Sequence, residues 1–581
     1  MKKHSAIQFC FLLFSFAMYC QIAFDESSNI YGLNASYGIG FVGGGLSSCD
    51  FDGDGWDDVT LATEVGEPVR YFKNNSGNFT EIFLNLTDFN YEYQQVIWID
   101  YDNDGDKDLY MAAHNASSKF YRNDGNSNFT DVTLSSGIFT GNQKNFGASW
   151  GDYDNDGFLD VFLTFRSSNE SNRLYRNNGN GTFSNVSDLA GISNTGHLSF
   201  CASFFDYNND GWQDIYIAND RIITSNILYH NNGDGTFTDV SSQSGAGLVM
   251  DAMSTTIGDY NNDGWFDIYI TNTMQEYPDV PEAEIGNVLL KNNGDGTFTN
   301  VAITNGTDFN SIAWGAVFLD ADNDMDLDLY VSGMLNGSIS LPSAFYENDG
   351  FNYYSIPTDA GFLNDTEESY SNAIGDFNND GYPDIIVNNE AANMFLWKNN
   401  CSVNINNNWL KVKLEGTSSN KDGIGSYIEI SINGNKQFRY TVAGEGYLSQ
   451  NSNSEFFGLA DNNTIDYIKV TWLSGVVDVI NNVSANQTLT IIEGSNVLST
   501  NEYFTNSKIR IVPNPVTDIL SFYSDNVIDM VEIYNSLGKL LMTKKGMESS
   551  SNMDVSQLNT DVLFVKVFTQ QHTEVFKILK N

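Results

Sequence analysis

The chain has 581 residues, with 74 acidic against 28 basic side chains and a formal net charge of −46. A surface of that sign repels nucleic-acid phosphates and anionic membranes and attracts cations. Fifty glycines, eight prolines and 14 % aromatics suit a turn-rich all-β protein of several domains, and five cysteines do not make a disulfide framework.

Residues 1–20 open with Lys2 and Lys3 and continue as A-I-Q-F-C-F-L-L-F-S-F-A-M-Y-C. A basic start followed by a short apolar run predicts a secretory signal peptide, and the run is too short for a membrane helix. No later stretch is long and apolar enough to span a membrane. Loss of the leader leaves Cys49, Cys201 and Cys401, which read as buried small residues.

From residue 21 to 400 one motif returns. Its clearest copy, Asp152–Asp160, reads D-Y-D-N-D-G-F-L-D. Carboxylates at every second position of a tight loop converge on one point, which a hard cation with oxygen ligands makes tolerable. The glycine supplies the positive φ of the sharp turn. An EF-hand loop begins in the same way but needs a Glu at its twelfth position and flanking helices. Here Leu163 stands at that position, inside the strand-like V-F-L-T-F. The motif starts at Asp50, Asp100, Asp152, Asp206, Asp259, Asp320 and Asp376, at spacings of 50, 52, 54, 53, 61 and 56 residues. Its ninth position is Asp every time, and an apolar strand follows each copy.

Each repeat carries four strand-like pieces. A stretch with small residues precedes the loop and a second strand follows it. A third strand runs into a turn such as L-Y-H-N-N-G-D-G-T-F at 228–237, and a fourth, such as F-T-D-V-S, ends the unit. N-G and D-G are hairpin signals. Four strands, seven copies and a period near 54 residues predict a seven-bladed β-propeller. Gly45, Gly147, Cys201, Ser254, Gly315 and Ser371, five places before their loops, suit inner strands crowded near an axis; Gln95 breaks that pattern. The seventh unit lacks a fourth strand after M-F-L-W-K-N-N at 394–400, while 23–33, A-F-D-E-S-S-N-I-Y-G-L, resembles the fourth-strand segment at 237–247. The N-terminus is therefore expected to close the ring beside 394–400.

These repeats resemble the FG-GAP or VCBS class, whose loops also occur in integrin α-subunit propellers. The resemblance implies up to seven Ca2+ ions, one per blade, held by side chains at loop positions 1, 3, 5 and 9. Carried over, these are Asp50, Asp52, Asp54 and Asp58; Asp100, Asp102, Asp104 and Asp108; and Asp152, Asp154, Asp156 and Asp160. Loops four and five offer Asp206, Asn208, Asp210 and Asp214, then Asp259, Asn261, Asp263 and Asp267. Loops six and seven offer Asp320, Asp322, Asp324 and Asp328, then Asp376, Asn378, Asp380 and Asp384. The sixth loop has Met325 where the others have glycine. Taken by itself, that substitution makes the sixth site the weakest, and Met325→Gly is expected to tighten it.

Residues 405–493 lose the acidic period and alternate as β-strands. The segment is similar to the ASPIC/UnbV domain of the cartilage-acidic-protein-like family. The match rests on Ile424-Gly425, G-E-G-Y-L-S-Q at 444–450, F-G-L at 457–459, W-L-S-G at 472–475 and A-N-Q at 485–487. Gly444, Gly446 and Gly475 read as turn positions; Tyr447 and Gln450 read either as packing or as the lining of a ligand site. Residues 494–507 form a polar linker. Residues 508–581 resemble the C-terminal sorting domain of the type IX secretion system, through Pro513-Asn514-Pro515, Tyr534-Asn535 and Gly538. The expected fold class is thus all-β: a seven-bladed calcium-binding propeller followed by two small β-sandwich-like domains.

No catalytic constellation stands out. G-A-S-W-G at 147–151 matches a nucleophile elbow, but a loop rather than a helix follows it. His114, His197 and His230 lie in no metal-ligand spacing. Two function classes remain. The first is a secreted or cell-surface module that binds a protein or glycan. The second is an extracellular polysaccharide lyase or hydrolase with its site at the axial channel. Neither is a nucleic-acid reading.

Overall fold

The computed structural model describes residues 22–496 and 510–580, apart from 87–90, 139–140, 142, 274–277, 310, 335–343, 358–359, 363–364, 366, 405, 513–515, 525–526, 536–538, 548–549, 559–560 and 570–572. The signal peptide, Pro513-Asn514-Pro515 and Gly538 lie outside the described residues. The chain separates into two compact units, one ending at Val497 and the other starting at Leu498.

In the first unit the alternation of the repeat becomes sheet. The fourth repeat shows the pattern, with Ser199–Phe205, Asp214–Asn219, Ile227–Asn231 and Phe237–Asp239 pairing antiparallel in chain order. Phe205 pairs with Asp214, Ile215 with Tyr229, and Asn231 with Phe237. Seven such four-stranded groups occur among the described residues; the second and third are also joined through Gln143 and Lys144, which pair with Ala116 and His114. Their first strands, from Leu46–Cys49 to Ser369–Gly375, pack in succession, and the last packs against the first. The ring closes by means of the N-terminus. Phe24–Glu26 pairs antiparallel with Phe395–Asn399, Phe24 opposite Asn399, which is the register of Phe237 opposite Asn231. The short helix Ser28–Tyr31 then ends at Gly32, as Ser241–Ser244 ends at Gly245, both glycines at positive φ.

The segment from Asn408 to Glu493 forms two facing sheets. Asn408–Glu415 lies between Ser454–Ala460 and, in parallel, Gln487–Ile492; Tyr427–Ile432 lies between Asn435–Tyr440 and Thr464–Thr471, with Val477–Ser484 outside. Leu410, Val412, Ile428, Ile430, Phe457, Ile468 and Trp472 fill the space between them. This segment belongs to the same compact unit as the repeats. Its loop 441–453 runs into the ring: Ala443 bridges to Trp150, Gly446 to Thr255 and Gln450 to Ser47. Tyr447 and Leu448 are fully buried among Phe146, Phe200, Cys201, Met253, Trp314 and Tyr370, drawn from five different repeats. The Tyr447 hydroxyl donates to the Val42 carbonyl at 2.7 Å. The Gln450 amide accepts from Trp98 N at 2.8 Å and donates to Trp98 O at 2.7 Å.

This placement explains Gly45, where a Cβ would collide with the Leu448 carbonyl, whereas at Gly147 and Gly315 a Cβ would meet Phe200 O and Tyr370 O of the neighbouring repeats. Gln95 is the exception because its side-chain oxygen accepts from Ala148 N, at 2.6 Å, in the neighbouring repeat. Cys49, Cys201 and Cys401 are buried thiols. The Ser149 hydroxyl lies in a strand and accepts from Phe204 N.

The second unit has a three-stranded sheet, Arg510–Val512, Ile519–Tyr523 and Ser550–Asp554. It also has a four-stranded sheet ordered Leu540–Met547, Ile528–Asn535, Asp561–Thr569 and Thr573–Lys580. Its core includes Leu520, Phe522, Val531, Ile533, Val565 and Val567. Among the described residues no helix is long and apolar enough to cross a membrane.

Phe24 is buried against Phe345 and Phe362, with ring centroids 5.7 and 5.1 Å away. Phe24→Ala is expected to destabilise the ring by about 3–5 kcal/mol, read by denaturant unfolding of the first unit. An unchanged midpoint would show that the closing strand does not hold the ring.

Candidate metal centres

Seven loops share one hydrogen-bond scheme. The position-1 aspartate uses one oxygen for the N–H of position 5 and the other for the N–H of position 6; in the third loop Asp152 accepts from Asp156 N at 3.0 Å and Gly157 N at 2.9 Å. The position-9 aspartate is buried, and both its oxygens accept main-chain N–H groups. Asp160 takes Tyr153 N at 3.1 Å and Asn177 N, from the third strand, at 2.7 Å. The Asn177 side chain then donates to Tyr101 O of the preceding repeat at 2.8 Å. Asn74 does the same to Phe377 O at 2.9 Å, across the closure of the ring.

A further residue was missed in the sequence although its recurrence is visible there. Position 4 is Asn in six loops, at positive φ in each: Asn103, Asn155, Asn209, Asn262, Asn323 and Asn379. Asn tolerates this conformation well. Each donates from its side chain to the position-6 carbonyl of the next loop, from Asn103 to Gly157 O at 2.9 Å round to Asn379 and Gly55 O at 3.2 Å. Loop one has Gly53 at position 4, so the chain of asparagines is open between loops one and two.

In four of the seven loops, three of the carboxylates that the repeat predicts converge. Asp50, Asp52 and Asp58; Asp100, Asp102 and Asp108; Asp152, Asp154 and Asp160; and Asp320, Asp322 and Asp324 each bring oxygens within 4.8 Å of one another and could hold a metal ion. In loops four, five and seven the position-3 amides of Asn208, Asn261 and Asn378 donate to Asp210, Asp263 and Asp380. In most repeats the third-strand residue before the recurrent asparagine is basic: Arg176 reaches Asp154 at 2.5 Å and Asp156 at 2.8 Å, Lys73 pairs with Asp52 and Asp54, and His230 lies 3.1 Å from Asp214. Three position-3 oxygens, Asp102 Oδ1, Asp154 Oδ1 and Asn208 Oδ1, are buried and accept no hydrogen bond. Buried polar atoms rarely stay unpaired, so these oxygens fit a cation in the loop. Burial, and then the neighbouring aspartates, push the carboxyls upward: Asp58 to about 8, Asp108 to about 9, and Asp152 and Asp259 to about 7.

Met325 takes φ +88° and keeps the loop scheme intact, its N–H donating to Asp320 Oδ2 at 3.0 Å. The sixth loop is therefore not distorted, and the Met325 side chain packs on the core of the 408–493 segment. That segment covers the loop face. Lys411 Nζ is 2.9 Å from Asp376 Oδ2, Lys413 Nζ is 3.2 Å from Asp50 Oδ2, Asp422 accepts from Asp100 N at 3.0 Å, and the Tyr427 hydroxyl donates to Gly264 O at 3.2 Å. Tyr447 and Gln450 turn out to be packing residues of the axis, where the enzymatic alternative would have placed its site.

The raised carboxyl pKa values have a sign that can be tested. Between the ordinary aspartate range and about pH 8, the folded metal-free protein holds more protons than the unfolded chain, so its stability is lost as pH rises. In excess chelator the melting temperature is expected to fall from about pH 5 to about pH 8, and excess divalent cation should abolish the fall. A melting temperature that rises over this window in chelator would contradict the burial of these groups.

Comparison with known proteins agrees with this architecture. The FG-GAP-like repeat model matches residues 50–111, 100–163, 158–217 and 206–270, and the FG-GAP repeat model matches 369–401. The ASPIC and UnbV model matches 416–497, and the secretion system C-terminal sorting domain model matches 510–581. Cartilage acidic protein 1 of Xenopus tropicalis is 25% identical over 281 residues, and that of Homo sapiens 24% over 290, covering 46% and 48% of this chain. The chain spans 41% of the length of each of these relatives. Among solved structures, a Burkholderia pseudomallei lectin aligns with TM-score 0.40 at 9% identity, covering 62% of this chain and 97% of its own. The Dos1 propeller aligns with TM-score 0.35 at 10% identity, covering 65% and 95%. The sorting domain marks the protein for export to the cell surface or beyond. The chain is thus an exported protein of FG-GAP repeats, an ASPIC/UnbV domain and a type IX sorting domain, sharing homology with cartilage acidic protein 1.

Proposed function

We propose that this is a secreted or cell-surface calcium-binding β-propeller that acts as a binding or adhesion module for a protein or glycan. The observation that carries the metal half is the set of buried, unpaired position-3 oxygens within loops that hold three or four carboxylates each at positions 1, 3, 5 and 9. The donors are all oxygens, with no Cys or His, which suits a hard cation of calcium's size. Positions 1, 3, 5 and 9 of each loop would hold it, and the ion would neutralise carboxylates that otherwise repel one another.

The binding half follows from which surfaces are free. The 408–493 segment covers the loop face and its own loop fills the axis. The opposite face, built from the connections between second and third strands and between repeats, presents exposed Ile39, Ile223 and Ile285. That face is the one offered to a ligand. The matched families are not typical enzyme families, and the lyase or hydrolase reading loses the axial site it required. The sorting domain supplies the contact with the type IX machinery.

Calorimetric titration is expected to find several calcium sites, and chelation to lower the melting temperature. Melting curves superimposed with and without chelator would overturn the metal reading. On a panel of glycans and surface proteins, retention without release of unsaturated sugars is expected; release of such products would establish the enzymatic alternative. Truncation after Val497 should leave calcium binding intact and strand the protein in the periplasm, detected by fractionation, whereas normal surface delivery would rule out the sorting role.

A further inference from the structure

We propose that the sixth loop is the latch through which metal binding holds the ASPIC/UnbV domain on the propeller, with Met325 as the coupling residue. The inference rests on the calcium reading above and adds to it a direction of regulation. Met325 belongs to two structures at once. Its main chain is part of the loop, its N–H donating to Asp320 Oδ2 and its carbonyl accepting from Asn262 Nδ2 at 3.1 Å. Its side chain leaves the loop and packs against the apolar core of the docked domain, 3.8 Å from Asn462 Nδ2. The six other loops have glycine here, the residue for which positive φ is free of strain. A side chain is kept at an unfavourable backbone conformation when the surroundings demand it, and here what surrounds it is the docked domain.

The sixth loop is gripped elsewhere as well. Ala460 N donates to Asn323 O at 2.8 Å and Asn407 Nδ2 donates to Asp322 O at 2.9 Å. A methyl group on Gly458 would run into Asp320 Oδ2 and the Asn323 main chain, so the domain's strand Ser454–Ala460 lies directly on the position-1 ligand. Asp322 is buried, whereas its counterpart Asp52 in the first loop is exposed. The charge is also distinctive. Loops one, two and six each carry five aspartates, but only in the sixth repeat does an acid, Glu347, stand where the others have Lys73, Arg122, Arg176, His230, Lys291 and Lys398. With that residue counted, the sixth loop has the most acidic surroundings of the seven, and the docked domain lies directly on it. A divalent cation there removes the repulsion that opposes docking. By reciprocity, docking then tightens the cation by the same factor.

This reverses the sign expected from the loop alone. Relief of strain would make Met325→Gly bind calcium more tightly at that site; loss of coupling makes it bind more weakly. The test uses the full chain, calcium titration calorimetry and hydrogen–deuterium exchange read at Ala460. In the parent protein calcium is expected to slow exchange at Ala460 by about tenfold relative to chelator. In Met325→Gly that protection should shrink several-fold and one site should weaken by about tenfold. Met325→Leu, which keeps an apolar side chain, should retain most of both effects. Gly458→Ala, placed outside the metal loops, should weaken the same site, and it carries the test if Met325→Gly does not fold. A parent protein that binds no calcium would defeat the calcium reading itself. Normal calcium binding with an equal or tighter site in Met325→Gly, or with exchange at Ala460 indifferent to calcium, would overturn only the latch.

Discussion

The structure depends on seven aspartates that are buried as acceptors of main-chain hydrogen bonds. The position-9 carboxylate of each loop, Asp160 for instance, ties the start of its loop to the third strand of its own sheet through two backbone N–H groups. The asparagine that supplies one of them reaches the preceding repeat with its side chain. Sheet, loop and neighbouring repeat are thus fastened at one point, and repeating that point seven times makes a ring. Charge-assisted bonds of this kind are strong where water is excluded, but they leave the carboxylate deprived of solvation. Burial pushes the Asp58 and Asp108 carboxyls upward for that reason. A ring built in this way asks for positive charge at each of its fastenings.

The positive charge comes from three directions. Third-strand residues such as Arg176 and Lys73 lean over the outer side of their loops. Lys411 and Lys413 arrive from the ASPIC/UnbV domain. The third is the cation proposed above, which the unpaired oxygens of Asp102 and Asp154 could ligate. Because two of these sources meet on one face, that face serves as a platform for the second domain and ceases to be a free surface. The same domain sends Tyr447 and Leu448 into the axis, where small residues such as Gly45 leave just enough room. Propeller and domain therefore form a single compact body, in which this domain leaves the opposite face uncovered.

Much of this was legible in the sequence. The period of the aspartates, the alternation of the flanking strands and the resemblance of 23–33 to 237–247 each rest on local chemistry that repeats, and Phe24 lies in the register that this resemblance implies. The position-4 asparagines were equally visible but carry meaning only when the next loop lies beside them, which a linear repeat does not reveal. The same holds for Met325. Within the loop it is a costly replacement for glycine, and only the docked domain shows what its side chain does.

The sequence by itself determined the all-β class, the repeating four-stranded unit, the carboxylate clusters that form in four of the loops and the N-terminal strand that closes the ring. These follow from periodicity and short-range turn geometry, which depend on neighbours a few residues away. Only the tertiary structure decided that the axis is filled by residues 441–453, that the loop face is covered, and that Tyr447 and Gln450 are packing rather than ligand-site residues. Gln450 and Trp98 are separated by 352 residues along the chain. No local pattern encodes such a pairing, because it is selected by the shape and unpaired main-chain groups of a channel that exists only after the ring has closed.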